Sequence, residues 1–506
     1  MANRLPSSDL VARLASSCRS GLLVTSATFG AARIPLARLI DEWAPAVARF
    51  FPGAREHPHA IMISFPHGPE LLVAVIAAWK SGNAIVPVST RATRAELRKL
   101  IDVLQPARVA CAIADLRFEN ACSALRPTSS VHGLKILARE ARCQETLVAG
   151  DAWLATTSGT TGEPKNAVIS ASAILTNAEC ARQYLDLTQA DRVLLFTPTH
   201  FAYAIVQLLS AVLADATVLA WPHGLLSPHN LADFAREHRM TGVSANPTAF
   251  EMWLRSEPRE QPGVRYLLSA GQPFRAGLFD SLSRAFPGAI CHSGYGCTEN
   301  TNRITITRID RSGPFRNSIA SVGWPIPGTT VRLEPDTAEI VIGGSSLMQG
   351  YLADLQSGSA RVVHHNTGDL GSIGDAGELY LIGRIRTRMN VGNEKVDPET
   401  VEAAIALVPG VCECAVGPLH DDLLGDAIGA LIVLETTTSA DELRRDIRPV
   451  LAAALRRSQW PHHIATASSS EIPRTSYGKI DRVALKKHLQ ERFGAAGSRL
   501  RKTTEL

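Results

Sequence analysis

The run TTSGTTGEPKNAVIS, Thr156 to Ser170, crowds hydroxyl side chains and two glycines ahead of a single lysine, Lys165. So polar a stretch offers no apolar face to a core, and neither a helix nor a half-buried strand accounts for it. Gly159 and Gly162 let the backbone approach a ligand closely. The hydroxyls of Thr157, Ser158, Thr160 and Thr161 join backbone N–H groups as donors, and Lys165 adds a mobile positive charge. That inventory suits a polyphosphate; a flexible surface loop is the other reading of the same residues. No GxxxxGK[ST] can be drawn through it, so this is not the Walker arrangement.

The elements that must position such a loop follow one grammar: a short apolar run, a turn, a helical pattern, a second apolar run. AIMISF (Ala60 to Phe65), PELLVAVIAAWKSG and AIVPV (Ala84 to Val88) form one unit. VLLF (Val193 to Phe196), a helix through Ala204 to Leu213 and TVLA (Thr217 to Ala220) form another, and RYLLSA (Arg265 to Ala270), a helical stretch to Phe286 and AICH (Ala289 to His292) a third. Strands alternating with helices predict βαβ crossovers and mostly parallel sheets, with ligands gathered where strands end and loops begin. After about Trp324 short strands dominate, as in a small β-rich subdomain. KVDPETVEAAIALVPGV then predicts a helix capped by Asp397, with Pro398 in its first turn and Gly410 past its end. A strand at Ala427 to Glu435 and a capping box of Ser439 with Glu442 complete a mixed α+β unit. The predicted fold class is α/β: a large N-terminal domain of mostly parallel sheets with helices plus the β-rich subdomain, and a small mobile α+β C-terminal domain. The domain boundary is placed near Gly383 to Thr387, which leaves a C-terminal piece of about 120 residues, enough for its own core.

Composition narrows the partners. The 506 residues are 45 % apolar and 20 % charged, with 52 Lys+Arg against 48 Asp+Glu. A formal charge of +4 is too near balance for a nucleic-acid footprint, and a small ligand is expected instead. Nine cysteines are scattered without a CxxC pair, which suggests neither a disulfide framework nor a zinc site and fits a reducing compartment. The N-terminal stretch has arginines spread through it and no signal-like apolar core, so a cytoplasmic location is expected. Ala204 to Pro222 is interrupted by Gln207 and Asp215 and is read as a buried helix running into a strand, not a membrane span.

Thr157 to Lys165 resembles the phosphate loop of the adenylate-forming, acyl-activating superfamily, which includes acyl- and aryl-CoA ligases, peptide-synthetase adenylation domains and firefly luciferase. Four further stretches resemble that family in its own order: YGCTE (Tyr295 to Glu299), TGD (Thr367 to Asp369), GRIRTRMNVGNEKVDPETVE (Gly383 to Glu402) and PRTSYGKIDR (Pro473 to Arg482). Weaker echoes lie in SVGWPIPG and SSLMQGYL. The resemblance implies ATP-dependent activation of a carboxylic acid to an acyl-adenylate with pyrophosphate release. Transfer to a thiol then follows, either coenzyme A or the phosphopantetheine of a separate carrier protein. It implies Lys479 as the catalytic cation, Glu299 as the Mg²⁺ ligand and Thr298 as a phosphate contact. Thr157, Ser158, Gly159, Thr160, Thr161, Gly162 and Lys165 would hold the ATP phosphates, Tyr295 would border adenine, and Asp369 and Arg384 would take the ribose. An ionised Asp369 with nothing else to pair is the expectation for that role. Residues 1–383 would bind ATP and acid, 384–387 would form the hinge with Arg386 as pivot, and 388–506 would rotate to present the thioester-forming loop with Gly392 and Lys395.

Each of these residues also has a plain structural reading: Lys479 and Glu299 as loop residues, Tyr295 as a core aromatic, Asp369 as a turn former. Three positions depart from the family. Arg386 stands where relatives carry Asp or Lys, and Asn166 and Asn393 where glycine is usual.

The acid pocket is expected at His200, Phe201, Ala202 and Tyr203, with Ala270, Gly271 and Gly294 as further walls. HFAY resembles the pocket segment of benzoate-type ligases, which slightly favours an aromatic acid over a short or medium aliphatic one. Amino-acid-activating relatives place an aspartate in this segment to pair with the substrate ammonium. FTPTHFAYAIV has no acid, and an unpaired buried ammonium is costly, so amino acids are disfavoured. The presence of Lys165, Glu299, Asp369, Arg384 and Lys479 favours an enzyme over a non-catalytic nucleotide-binding relative, and an adenylating enzyme serving a non-thiol nucleophile stays open as the alternative.

Overall fold

The computed structural model describes residues 6–25, 33–54, 57–112, 115–139, 146–157, 165–223, 228–257, 259–310, 315–316, 319–385, 387–391, 394–421, 425–435, 438–474 and 480–493. Ser158 to Gly162, Arg386, Gly392 and Lys479 lie outside them.

Two large sheets share an intervening layer of helices. In the first, the wholly buried strands Ala60–Ser64 and Ala84–Pro87 run parallel, and Asp151–Thr157 extends the sheet to its antiparallel partner Lys165–Ser170. In the second, Thr217–Ala220, Arg192–Leu195, Gly242–Ala245, Tyr266–Ala270 and Ile290–Tyr295 are consecutive parallel neighbours. Antiparallel Thr305–Ile309 follows them. The expected βαβ units are all present, because apolar runs buried on both faces can satisfy their backbones only inside such a sheet.

The helices Pro69–Lys80 and Ala202–Leu213 are apolar around nearly their whole circumference, as befits elements packed between two sheets. Their side chains merge with Ile61, Ile63 and Trp153 from one sheet and Val193, Leu195 and Leu268 from the other into the main core. Polar caps fix where helices begin. Ser170 accepts from the Ala173 N–H at 3.2 Å, and Asn246 from the Ala249 N–H at 2.8 Å.

The β-rich subdomain is an antiparallel sheet of Thr329–Leu333, Glu339–Gly344, His364–Ile373 and Leu379–Arg384. Beyond Arg384 the chain enters a five-stranded sheet that holds Met389–Val391, Val411–Asp421 and Gly425–Leu434, with its own apolar cores. The capping box of Ser439 and Glu442 starts the helix Ala440–Ala454 as expected. Asp397 corrects the sequence reading: it precedes the helix Pro398–Ile405 but makes no cap hydrogen bond with its side chain. Its carboxylate instead accepts from Arg388 Nε at 2.9 Å and Nη2 at 3.0 Å, and a charged fork outcompetes a neutral N–H for it.

Candidate active site

Strand Ile290–Tyr295 delivers the YGCTE segment to the loop end of the parallel sheet. A side chain at Gly296 would put its Cβ 1.5 Å from the Asn302 carbonyl oxygen, so only glycine lets the chain fold back there. The turn that follows is anchored by Asn300 Nδ2, which donates to the Arg303 carbonyl at 2.8 Å. Thr301, at φ 63°, donates its hydroxyl to the Ser346 carbonyl at 2.7 Å, and this bond helps hold a backbone conformation rare outside glycine. Thr298 and Glu299 ride on this turn, both half-buried.

Around Glu299 the structure gathers residues from three segments. Its Oε1 accepts from the Tyr351 hydroxyl at 2.7 Å, and Lys165 Nζ lies 4.7 Å from the Tyr351 ring centroid. The His365 ring stands edge-on to Tyr351, centroids 6.2 Å apart. Burial lowers the His365 pKa and the charge of Lys165 adds to this, while Glu299, Glu339 and Asp369 oppose it, so His365 faces the same cluster. The sequence reading noted Tyr351 only within a weak echo and missed His365. The signal for His365 was the pair His364-His365 just before Thr367-Gly368-Asp369, a polar run in what becomes a strand.

Asp369 corrects a second expectation. It is buried and already paired at each oxygen: Oδ2 accepts from the Tyr295 hydroxyl at 2.8 Å, and Oδ1 pairs with Arg384 Nε, its register partner on the next strand. A buried carboxylate without donors would be costly, so the protein supplies them. Burial first, and then the Asp369 charge, push the Tyr295 phenol well up and keep it protonated as the donor. Each carboxylate oxygen still has a second lone pair for a ligand hydroxyl. The Tyr295 ring belongs to an apolar cluster with Ile304, Val322, Ile340, Ile342, Leu347 and Leu379.

The residues expected to line the acid pocket lie where strand Arg192–Leu195 leads into helix Ala202–Leu213. The Thr199 hydroxyl donates to the Phe65 carbonyl at 2.6 Å, and the His67 ring bonds the Thr197 carbonyl at 2.6 Å, fixing this loop to the other sheet. Burial lowers the His200 pKa to about 4, so its ring is neutral at pH 7, 4.4 Å from that of Phe201. Ala270 and Gly294 are register partners, and a Cβ on Gly294 would lie 3.8 Å from that of Ala270, so the missing methyl widens the space between them. Gly271 turns the chain at φ 84°. Arg303, which the sequence reading passed over, is buried with its guanidinium 5.4 Å from the Tyr203 ring centroid. Thr157 opposes Lys165 where strands Asp151–Thr157 and Lys165–Ser170 pair, and Ser158 to Gly162 lie outside the described residues. Lys395 is exposed on strand Glu394–Val396, and none of the described contacts joins it to these clusters.

A model of the AMP-binding enzyme family matches residues 40–352, and a model of the AMP-binding enzyme C-terminal domain matches residues 400–479. The chain is an AMP-binding enzyme. This AMP-binding enzyme is 28 % identical over 457 residues to an isonitrile lipopeptide synthase of Streptomyces coeruleorubidus, covering 84 % of this chain and 30 % of that protein, so it spans about a third of that relative. It is 27 % identical over 352 residues to an oxalate–CoA ligase of Arabidopsis thaliana, covering 66 % and 67 % of the two chains. Its fold matches that of ATP-bound MatB from Rhodopseudomonas palustris with a TM-score of 0.79 at 21 % identity, over 97 % and 100 % of the two chains.

Proposed function

We propose that this AMP-binding enzyme activates a carboxylic acid with ATP. A carboxylate oxygen bonds to the α-phosphorus, pyrophosphate leaves, and the acyl-adenylate forms. A thiolate then attacks the acyl carbon and AMP leaves, giving a thioester of coenzyme A or of carrier-bound phosphopantetheine. The observation that carries this reading is the convergence of Glu299, Tyr351 and Lys165 at the loop end of the parallel sheet, with Asp369, Tyr295 and Arg384 as a second cluster. In this reading Lys165 and the loop before it bind the phosphates, and Asp369, braced by Arg384, accepts from the ribose hydroxyls. Thr298 contacts phosphate and Tyr295 orients Asp369.

Glu299 fits a magnesium site. Mg²⁺ is commonly held by one or two carboxylates plus substrate phosphates, and no group of three or more His, Cys, Asp or Glu capable of caging an ion by itself occurs among the described residues. When bound there, the ion offsets charge on the phosphate oxygens. Tyr351 fixes the rotamer of Glu299 for that purpose.

Residues 1–383 act as the nucleotide- and acid-binding domain, and 388–506 rotate about 384–387 with Arg386 as pivot. The rotation brings Lys479 to the phosphates for the first step and the loop with Gly392 and Lys395 for the second. A reducing, cytoplasmic setting is supported by the described cysteines, all of them free thiols. No helix among the described residues is long and apolar enough to cross a membrane.

The test is identification of nucleotide products with ATP, Mg²⁺ and a panel of acids, with and without coenzyme A. AMP and pyrophosphate formed only with acid, and faster with coenzyme A, support both steps. ADP and phosphate would overturn the reading.

A further inference from the structure

Arg303 is one of the most deeply buried charges in the chain, 4 % exposed, and among the described residues no carboxylate pairs with it. The groups that act on it electrostatically are Tyr203, Tyr266 and Cys180, whose phenols and thiol are held protonated above all by burial. Burial lowers the pKa of Arg303 too, yet guanidinium does not give up its proton in proteins. An unpaired buried cation is a costly thing to keep, and natural interiors leave few polar atoms without partners.

The same spot holds further orphans. Arg303 Nε and Nη1 are buried with no acceptor at good hydrogen-bond geometry among the described residues, and the Tyr203 hydroxyl and Gln207 Oε1 lie beside each other and Arg303 without a well-formed bond. Gln207 is held in place by its amide nitrogen, 3.3 Å from the Ser244 carbonyl. The Tyr203 hydroxyl can both donate and accept, so the surplus lies with the guanidinium donors, an imbalance that an acceptor-rich ligand corrects. A carboxylate has only acceptors and matches the guanidinium fork in geometry and charge.

The backbone beneath this side chain is rigidly held. Asn177 Nδ2 and Asn300 Nδ2 both donate to the Arg303 carbonyl, at 3.0 and 2.8 Å, and the Arg303 N–H donates to Asn177 Oδ1 at 3.3 Å. Arg303 also lies four residues beyond Glu299, so one anchored turn carries both the residue for the reacting phosphates and the unpaired cation. Tyr203, the ring against which that cation rests, opens the helix on the acid side.

We propose that the acid activated here is a dicarboxylic acid, whose second carboxylate is seated on Arg303 beside the Tyr203 hydroxyl. This rests on the acid-activating reading above. It also accounts for the missing acid in FTPTHFAYAIV: a pocket with a buried cation repels a substrate ammonium rather than pairing with it.

The test compares length-matched acids with the whole protein: succinate against butyrate, glutarate against pentanoate, and the three benzenedicarboxylates against benzoate. The readouts are kcat/KM for pyrophosphate release and the ligand-induced shift in Tm, which needs no turnover. The wild type is expected to favour at least one diacid over its matched monoacid about 100-fold or more. R303M should bring that ratio near one, and R303K should restore part of it. Circular dichroism establishes that R303M is folded; should it fail to fold, Y203F takes its place, with an expected loss of about 5- to 10-fold in the ratio. Pyrophosphate release that is equal or faster with the monoacids overturns the diacid inference and leaves acid activation standing. No pyrophosphate with any acid, alongside a Tm raised by a diacid in the wild type but not in R303M, supports the anion seat and overturns the activity.

Discussion

The two sides of the site treat charge in opposite ways. On the proposed nucleotide side, Asp369 and Glu299 already hold protein donors at hydrogen-bond distance, and Arg384 pairs with Asp369. On the proposed acid side, Arg303 buries its charge with no carboxylate acceptor among the described residues, and the Tyr203 hydroxyl and Gln207 Oε1 lie beside it without a well-formed bond. A ligand that is the same in every turnover can be met by a preassembled set whose internal bonds fix each rotamer. Selectivity among acids is better supplied by groups that stay unpaired until the right ligand arrives, since a wrong one leaves them so. Changes on the nucleotide side should therefore slow all acids alike, and changes on the acid side should alter the ratio between them.

The largest effect is expected from K479A. Loss of a cation placed at developing phosphate charge should cut adenylate formation by about 10²- to 10³-fold, with ATP binding retained and acid preference unchanged. Full activity in K479A would remove Lys479 from the chemistry. A second contrast lies in how the two sides answer to pH. His67, which ties the acid-side loop to the other sheet, is buried with its pKa lowered to about 4 by burial, against 6.5 for a free histidine. A depressed folded-state pKa means the unfolded chain binds the extra proton first. The contribution of His67 is thus complete above pH 6.5 and is lost as pH falls towards 4, by up to about 3 kcal/mol. Urea titrations from pH 7 to 4.5 should show this slope together with those of His200 and His292, which burial also lowers to about 4, and H67Q should reduce it by the share of His67; an identical slope in H67Q would mean that His67 carries none of it.

D369A leaves the Tyr295 hydroxyl without its acceptor and Arg384 without its pair. Because Arg384 is largely exposed, the cost to stability should stay within about 1–3 kcal/mol, while ATP affinity measured calorimetrically falls about 10- to 100-fold. Unaltered ATP affinity would sink the ribose assignment. The smallest change is Y351F, which removes one hydrogen bond from Glu299. We expect a loss of about 5- to 10-fold in kcat, with a raised Mg²⁺ requirement and the same order of preference among acids. A changed preference would place Tyr351 on the acid side and break the contrast.

How much of this was legible in the sequence depended on whether local pattern or distant packing decided the outcome. The parallel units around Ala60, Val193 and Tyr266 were readable because fully buried strands are continuous apolar runs, and the Ser439–Glu442 box because capping is local. Asp397 and Asp369 were misread as a cap and a bare carboxylate, since Arg388 and Arg384 reach them only after strands pair. Arg303 gave no signal at all: one arginine before an alternating strand reads as surface, and only the fold shows it buried against the Tyr203 ring. The hinge, Ser158 to Gly162 and Lys479 rest on resemblance.

Acid-dependent exchange of labelled pyrophosphate into ATP isolates the first half-reaction from any acceptor and tests the central claim most directly. The account predicts exchange that requires Mg²⁺ and an acid, is strongest with a dicarboxylate, and falls about 10²- to 10³-fold in K479A. No exchange with any acid while ATP still binds, or exchange indifferent to acid, would contradict it.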